Sequence, residues 1–320
     1  MSRAADRPGS TRVAVLVAFL AGFLALALAA GCATTRPARS PLDDAVAAAS
    51  ARCNCRIGVA ARHLESGRRY EHLGDAEFEG ASVVKIAILT EAIAAAREGR
   101  VDLADRWTLS DGEKADGSGL LLMLDAGLAP TWNDLLTLMI GPSDNTAANA
   151  WIRRLGRERI NARMEALGFR HIRLLAEIPP FERREEEPSP WKDLRLSALS
   201  PRDVADWYER VGRGELLDAE SSRRIFEYLD KDPSRLRAAR RFPSAELWAG
   251  KTGSMSGVRN DSGILRTRKG RFVLVLFTDG SAAASTNAAD HPSVLAIADV
   301  ARSIVDSWSR DLPDLPEKPK

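Results

Sequence analysis

The sequence predicts a two-lobed α/β fold. One lobe is an antiparallel sheet that is built from both ends of the chain and flanked by helices. The other is an all-helical lobe inserted between those ends. Three observations predict this fold. Strand-like segments occur early, at residues 56–72, and again late, at residues 246–278. The stretch between them has helical periodicity and helix-capping signals. Because layers of strands and helices must share a core, we expect the two groups of strands to form one sheet.

The first 31 residues have the pattern of an export signal. Arg3, Arg7 and Arg12 precede an uncharged apolar run of 18 residues, 13–30, which is followed by Gly31 and Cys32. Small residues beside a cysteine are similar to a bacterial lipoprotein signal, so we expect cleavage before Cys32 and lipid attachment to it. An uncleaved anchor and cleavage after an Ala-x-Ala site are the alternatives. All three predict a location facing the periplasm or cell exterior.

Domain boundaries follow from these segments. We expect a signal at 1–31, a flexible tether at 32–41, one folded domain at 42–310 and a tail at 311–320. Within the domain, the α/β lobe is predicted at about 42–80 and 240–310, and the helical lobe at about 81–239. A pocket is expected where the two lobes meet.

Charge and cysteine content exclude several classes of function. The chain has 46 basic and 44 acidic residues, and without residues 1–31 it has 43 of each. A neutral chain has no general field to attract DNA or RNA, so nucleic-acid binding is not expected. Cys53 and Cys55 are expected to be unbonded thiols that share one face of a strand. No second Cys or His pair suggests a metal site.

The elements are predicted in order along the chain. A helix is expected at 42–51, followed by a hairpin of strands 56–64 and 68–72. From Ser82 a helix follows that is apolar nearly all round and therefore buried. Thr131 and Asp134 form a capping box for the helix that runs to Ile140. Gly141 and Pro142 end that helix and place residues 143–145 in a bend.

The last third of the chain returns to strands. Ser200, Pro201 and Asp203 begin another helix. Three strands, 246–254, 261–266 and 271–278, are separated by short turns and predict an antiparallel meander. A final amphipathic helix at 294–308 is expected to cover the sheet.

Three short motifs carry the chemistry: Ser82-x-x-Lys85, Ser143-Asp144-Asn145 and Lys251-Thr252-Gly253. Ser82 and Lys85 are spaced to face the same way at a helix start. A buried lysine loses solvation in its charged form, so its pKa falls and it can act as a base toward a serine hydroxyl. Ser189-x-x-Lys192 also matches, but it lies among prolines, so we interpret it as a chance match.

The other motif residues have expected roles beside this pair. Ser143 would relay a proton to the departing amine, and Asn145 would bond the substrate or the lysine. Lys251 would supply positive charge, while Thr252 and Ser254 would meet an anionic end of the substrate. Asp144 would brace the bend. His63, His72, His171 and His291 are scattered and are not expected to act in catalysis.

With these motifs the chain resembles class A β-lactamases and related penicillin-recognising serine hydrolases, over residues 45 to 308. Supporting stretches are 116–121, 138–147 and 251–263. The resemblance implies an acyl-enzyme at Ser82, with the backbone N–H groups of Ser82 and Ser254 as the oxyanion hole. It also implies hydrolysis of β-lactam amides. No metal or organic cofactor is expected, since the lysine mechanism needs neither.

One departure from the family concerns the deacylating base. The family carries a Glu followed by a Leu-Asn pair between the second and third motifs, and no Glu-x-x-Leu-Asn occurs here. Glu187 before Pro188 resembles the family's Glu best, with Glu185 and Glu186 as alternatives. The charged run 182–187 also has the composition of a solvated loop.

Three functions therefore stay open. A β-lactamase would turn its acyl-enzyme over, a D,D-peptidase-like enzyme would act on a D-alanine-terminated peptide with slow deacylation, and a lipid-tethered binding protein would keep the fold without catalysis. In each case the expected partners are a small β-lactam or peptide and a membrane reached through the lipid. We expect a monomer.

Overall fold

The computed structural model of the protein describes residues 40–180, 195–245, 247–281 and 288–316. The predicted export signal, Cys32 and most of the predicted tether lie outside these ranges. The described helices are α1 (Pro41–Cys53), α2 (Lys85–Arg97), α3 (Trp132–Ile140), α4 (Asn145–Leu155), α5 (Arg157–Ala166), α6 (Pro201–Arg213), α7 (Ala219–Leu229) and α8 (Pro292–Ser309). Within the described ranges, no helix is long and apolar enough to cross a membrane.

The strands form one large sheet and one small one. They are β1 (Arg56–His63), β2 (Arg69–His72), β3 (Ile172–Leu174), β4 (Ser197–Leu199), β5 (Leu247–Met255), β6 (Val258–Thr267) and β7 (Gly270–Asp279). The large sheet is antiparallel, with the order β2-β1-β7-β6-β5. Strand β1, from the start of the chain, pairs along its whole length with β7, from the end. The prediction of a sheet built from both chain ends is confirmed.

The sheet has a separate hydrophobic core on each face. Side chains of β7 alternate between them, because successive residues of a strand point to opposite faces. Leu274 and Leu276 pack in the core that also contains residues of α1 and α8. Val275 and Phe277 pack in the other core, which continues into the helices between β2 and β5. The second core thus connects the sheet with the inserted helical part.

The predicted helix ends place the second motif in a bend. The Thr131 and Asp134 side chains cap α3 reciprocally, and α3 ends at Gly141. Helix α4 then begins at Asn145, so the motif at 143–145 lies between α3 and α4. The Ser200 cap of α6 is also as predicted.

Two local expectations are corrected. Ser82 lies in a 3₁₀ turn, Ala81–Val84, and the α-helix begins only at Lys85. Cys53 and Cys55 form a disulfide, so the expectation of unbonded thiols is wrong. The two cysteines do not share a strand. Cys53 ends α1, and Asn54, with a φ of +46°, turns the chain so that the two Cα atoms lie 5.2 Å apart, within reach of a disulfide.

Candidate active site

The three motifs meet around one cleft of about 680 Å³. Five of the predicted residues line it, and they come from three places in the fold: Ser82, Ser143, Asn145, Thr252 and Ser254. Ser82 belongs to the turn before α2. Ser143 and Asn145 lie where α4 begins, and Thr252 and Ser254 lie on β5. The fold therefore gathers side chains that lie up to 172 positions apart along the chain into one concave surface.

The turn that presents Ser82 is held by the side chain of Glu79. Ala81 has a φ of +48°, which is uncommon for a residue with a side chain. Its N–H donates to Glu79 Oε1 at 2.8 Å, and Ser197 Oγ donates to the same oxygen at 2.7 Å. Ser197 Oγ in turn accepts from Gly80 N–H at 2.9 Å. The Glu79 carboxylate and the Ser197 hydroxyl thus hold the turn in place. No sequence motif indicated either residue.

Lys85 is fully buried and surrounded by oxygens of the second motif. Among the described residues, its Nζ lies 2.7 Å from the Ser143 carbonyl oxygen, 2.7 Å from Asn145 Oδ1 and 3.1 Å from Ser143 Oγ. Asn145 thus contacts the lysine, one of the two partners expected for it. Ser82 and Lys85 both line a second, smaller cavity, so the two residues lie close together.

The surroundings of Lys85 lower the pKa of its amine well below the usual lysine value. Burial is the main cause, because it penalises the charged form. The positive charge of Lys251 adds to the effect, and Asp144 partly opposes it. The three near oxygens suit the three N–H bonds of an ammonium, whereas the burial favours the neutral amine. The group is therefore placed to exchange a proton rather than to hold one permanently.

Asp144 fixes the bend of the second motif, as expected. Its Oδ1 accepts from Ala147 N–H at 2.9 Å and so caps α4. Its Oδ2 accepts from the N–H groups of Leu120 and Leu121 at 2.7 and 2.9 Å. Ser143, with a φ of +61°, is thereby held in a conformation that is uncommon for serine.

The loop before Leu120 also reaches the cleft. Ser118 Oγ donates to the Ser143 carbonyl oxygen at 2.7 Å, and Ser118 lines the cleft. Sequence reasoning assigned no role to Ser118 itself, although it lies within a stretch that supported the family resemblance.

Lys251 lies on β5 and is fully buried. Its Nζ donates to the Thr252 carbonyl oxygen at 3.2 Å. Burial lowers the pKa of this amine, with Asp232 opposing the shift and Arg237 adding to it. Lys251 in turn lowers the pKa of Lys85, so the site concentrates positive charge that a substrate anion would offset.

Gly253 allows β5 to lie against the Ser82 turn. A Cβ atom at this position would lie 2.4 Å from the Gly80 carbonyl oxygen, far inside van der Waals contact. A glycine within a strand often marks a position where another backbone approaches closely. The neighbour that requires the glycine is the protein's own backbone, at the turn that carries the candidate nucleophile.

Two arginines that sequence reasoning did not identify line the cleft, Arg237 and Arg259. Arg237 donates from Nη1 to the Gly253 carbonyl oxygen at 2.8 Å and from Nη2 to Ser254 Oγ at 2.6 Å. Burial lowers the pKa of its guanidinium, although Asp261 opposes the shift. The arginines make the Thr252–Ser254 end of the cleft cationic, which suits a carboxylate group. Arg237 carries no motif, because residues 235–241 are rich in arginine throughout, and Arg259 lies within the stretch 251–263 without having been given a role.

The candidate deacylating base is not placed by the structure. Glu185, Glu186 and Glu187 lie outside the described residues, as does the second Ser-x-x-Lys match. Among the described residues that line the cleft, none is acidic.

The chain matches a model of the Beta-lactamase enzyme family over residues 41–308. It is similar to a solved β-lactamase from Sphaerobacter thermophilus DSM 20745, with 32% identity, coverage of 85% of this chain and 98% of that one, and a TM-score of 0.73. It is also similar to PBP-A, with 25% identity, coverage of 84% and 96%, and a TM-score of 0.72.

A mutant PBP-A, L158E, solved as an acyl-enzyme complex with penicillin G, shows the same 25% identity and coverage, with a TM-score of 0.70. A search of curated proteins finds no match to the chain.

Proposed function

The chain belongs to the β-lactamase enzyme family and is a β-lactamase-like serine hydrolase, and from this premise we propose that Ser82 attacks the amide of a β-lactam ring and becomes acylated. One observation carries the proposal. Ser82, Ser143, Asn145, Thr252 and Ser254 surround a single cleft, and the buried amine of Lys85 lies behind them. This arrangement supports a serine nucleophile that a lysine activates.

Lys85 is the proposed base of the acylation step, since its pKa is lowered and it lines a small cavity together with Ser82. In its neutral form the amine takes the proton of the Ser82 hydroxyl while Oγ bonds to the carbonyl carbon of the ring. The ring C–N bond then breaks, and the leaving nitrogen takes a proton from Ser143 Oγ. Because Ser143 Oγ lies 3.1 Å from Lys85 Nζ, the lysine can return its proton to Ser143. The proton of Ser82 is thus replaced by the acyl group and reaches the leaving nitrogen by way of Lys85 and Ser143, and neither of these two side chains gains or loses a proton overall.

The rest of the cleft would hold the substrate. The backbone N–H groups of Ser82 and Ser254 would bind the developing oxyanion. Thr252, Ser254 and Arg237 would bind a carboxylate of the substrate, since Arg237 already donates to Ser254 Oγ. Bound there, a carboxylate would orient the amide over Ser82.

A D,D-peptidase-like function is the second candidate. A peptide ending in D-alanine presents the same two groups, an amide and a nearby carboxylate. The similarity to PBP-A, at 25% identity over 84% of this chain, supports this candidate. Either substrate would form the same ester with Ser82.

The proposed function includes a location for the enzyme outside the cytoplasm. The basic start, apolar run and Cys32 support export and lipid attachment, which would place the enzyme on the outer side of a bacterial membrane. Both β-lactams and cell-wall peptides would reach it there.

The test is the reaction of the full chain with a chromogenic cephalosporin and with penicillin G, followed by absorbance and by intact mass. We expect a mass increase of one penicillin per chain, lost in Ser82→Ala and kept in Ser189→Ala, the control from the other Ser-x-x-Lys match. Labelling that persists in Ser82→Ala would contradict the proposal. Absence of both colour and adduct would favour a non-catalytic binding protein.

A further inference from the structure

A second open pocket lies where α6, α7 and the β5–β7 part of the large sheet meet, and we call it the α6–α7 pocket. Its volume is about 640 Å³, close to that of the active-site cleft and within the range of small-molecule binding sites. Among the described residues, none lines both this pocket and the active-site cleft. The α6–α7 pocket is therefore a separate concave surface, to which the proposed reaction assigns no role.

One part of the α6–α7 pocket is apolar. Val211 and Ile264 are buried in its wall, whereas Phe226 and Leu247 are only partly buried and pack against the same hydrophobic core. Phe226 belongs to α7, and Leu247 begins β5. An apolar group that covers these two side chains removes their surface from water, which is favourable. This part of the pocket suits a hydrocarbon chain.

The other part of the pocket is cationic, and two of its arginines face each other. Arg266 on β6 is the direct cross-strand partner of Arg271 on β7, and both line the pocket. Directly opposed residues lie on the same face of a sheet, and like charges in this arrangement are destabilising. Leu247 is the partner of Arg266 on the other side. One apolar and two cationic side chains thus form a row across three strands, and an anion beside the arginines would offset their repulsion.

Glutamates hold two of the pocket arginines in position. Arg271 donates from Nε to Glu65 Oε1 and from Nη1 to the Gly212 carbonyl oxygen, both at 2.7 Å. Arg213 donates from Nε to Glu209 Oε1 at 3.1 Å. The bonds of Arg271 use two of the five N–H donors of a guanidinium. The glutamates offset part of the positive charge, but they also fix the guanidinium groups, so a ligand does not have to order them.

The α7 side of the pocket is less suited to an anion. Arg223 forms ion pairs with Glu220 and Glu227, and Glu227 itself lines the pocket. A negative group on that side would be repelled by the Glu227 carboxylate. The favourable place for an anionic group is therefore beside Arg266 and Arg271, in line with Leu247.

We propose that the α6–α7 pocket binds an anionic amphiphile, whose carboxylate or phosphate head lies beside Arg266 and Arg271 and whose hydrocarbon chain covers Phe226 and Leu247. A free fatty acid and an anionic membrane lipid share this chemistry. The site goes beyond the proposed function, and it does not depend on a reaction at Ser82.

The first experiment is a calorimetric titration of the full chain with octanoate, acetate and octanol. Octanoate carries both head and chain, acetate only the carboxylate and octanol only the chain. We expect octanoate to bind at least about tenfold more tightly than either of the others, because it combines charge-assisted hydrogen bonds with apolar burial. Equal affinities for octanoate and acetate, or for octanoate and octanol, would overturn the proposal.

The second experiment compares Arg266→Gln with Arg173→Gln, its matched control. Both variants lose one positive charge, but Arg173 is exposed on β3 and is not among the residues that line the pocket. We expect the affinity for octanoate to fall at least about tenfold in Arg266→Gln and to stay unchanged in Arg173→Gln. Arg266→Lys, which keeps the charge, should retain more of the affinity than Arg266→Gln.

Two checks make this comparison specific. The apolar run 13–30 is present in every chain, so binding of octanoate to that run does not contribute to the difference between variants. Urea unfolding shows whether each variant is folded. Equal affinities for octanoate in folded Arg266→Gln and Arg173→Gln would overturn the assignment of the head group.

Vesicles distinguish the two sources of the ligand. Co-sedimentation with phosphatidylglycerol vesicles is measured for the same two variants. Weaker binding of Arg266→Gln than of Arg173→Gln to the vesicles would identify a membrane lipid. Equal binding to vesicles, together with a loss of octanoate affinity only in Arg266→Gln, would identify a free fatty acid. If neither ligand distinguishes the variants, the pocket does not bind anionic amphiphiles and the inference is wrong.

Discussion

Lys85 and Lys251 show how single residues acquire reactivity from burial. Neither side chain has access to solvent, and the positive charge of Lys251 acts on Lys85. A lysine in water would be protonated at neutral pH and useless as a base. Here the cost of keeping two ammonium groups out of water lowers both pKa values.

Replacement of Lys85 by arginine should therefore abolish the base while keeping a positive charge. In the unmodified chain we expect the acylation rate to rise with pH as the amine loses its proton and to level off well below the ordinary lysine pKa, since the pKa is lowered. Lys85→Arg should acylate about 10² to 10⁴ times more slowly, because a guanidinium is not deprotonated in this range. Stopped-flow absorbance with a chromogenic cephalosporin from pH 5 to 9 measures both.

The arginine variant also provides the check on this assignment. If Lys85→Arg kept the rate and pH profile of the unmodified chain, another group would be the base. A Lys114→Arg variant, at a lysine that pairs with Asp111 outside the cleft, should leave the profile unchanged.

Sequence patterns identified the residues that belong to short motifs and missed those that do not. Ser82, Ser143 and Thr252 could be predicted because each lies in a local pattern of three or four residues. Glu79 and Arg237 act through contacts with residues more than 15 positions away, namely Ser197 and Ser254. Such contacts exist only after folding, so one sequence without relatives carries no sign of them.

At the scale of elements, the contact between β5 and the Ser82 turn depends on one missing side chain. Gly253 leaves room for the Gly80 carbonyl oxygen, and Ala81 and Val83 lie just beyond it. The strand and the turn supply the two expected oxyanion N–H donors, so their separation would control stabilisation of the transition state.

Gly253→Ala should push the strand and the turn apart. We expect a loss of roughly 1–3 kcal/mol in the free energy of unfolding, typical of overpacking, together with a lower acylation rate. Urea unfolding and the rate of adduct formation measure the two effects. Gly112→Ala is the matched control, because a Cβ there meets nothing within 4 Å. An alanine at 253 with unchanged acylation would show that the contact is not needed.

Elements were predictable where the signal was local. The hairpin, the meander and the α3 capping box follow from periodicity and caps, and the structure has all of them. The Cys53–Cys55 disulfide was mispredicted because its geometry depends on where α1 ends. The sequence expectation ended that helix at residue 51 and placed both cysteines on one strand, whereas the helix continues to Cys53.

For the molecule as a whole, a buried carboxyl beneath the site affects stability. Asp261 on β6 accepts from Ala238 N–H at 2.9 Å and from Ser262 N–H at 3.0 Å. Burial raises the pKa of Asp261 to about 7, with Arg237 opposing the shift. Since this is above the unfolded value of 3.8, the folded state binds the proton more tightly. The stability from this group is complete below pH 4 and is lost as the pH rises to about 7.

Asp261→Asn should remove this pH dependence. Relative to the variant, the unmodified chain should lose on the order of 4 kcal/mol of unfolding free energy between pH 4 and pH 7.5. Urea unfolding at these two pH values measures the difference. The exposed Asp125→Asn serves as the control. A difference between Asp261→Asn and the unmodified chain that is the same at both pH values would show that Asp261 does not titrate on folding.

The pairing of β1 with β7 has a consequence for the order of events during synthesis. Arg56 and Asp279, which pair across these strands, are 223 residues apart. A ribosome must therefore make most of the chain before the first strand can find its central neighbour. Contacts of such long sequence separation slow folding. Until β7 has been synthesised, β1 lacks its partner strand, and we expect the nascent N-terminal part to be accessible to chaperones or translocation machinery for most of translation.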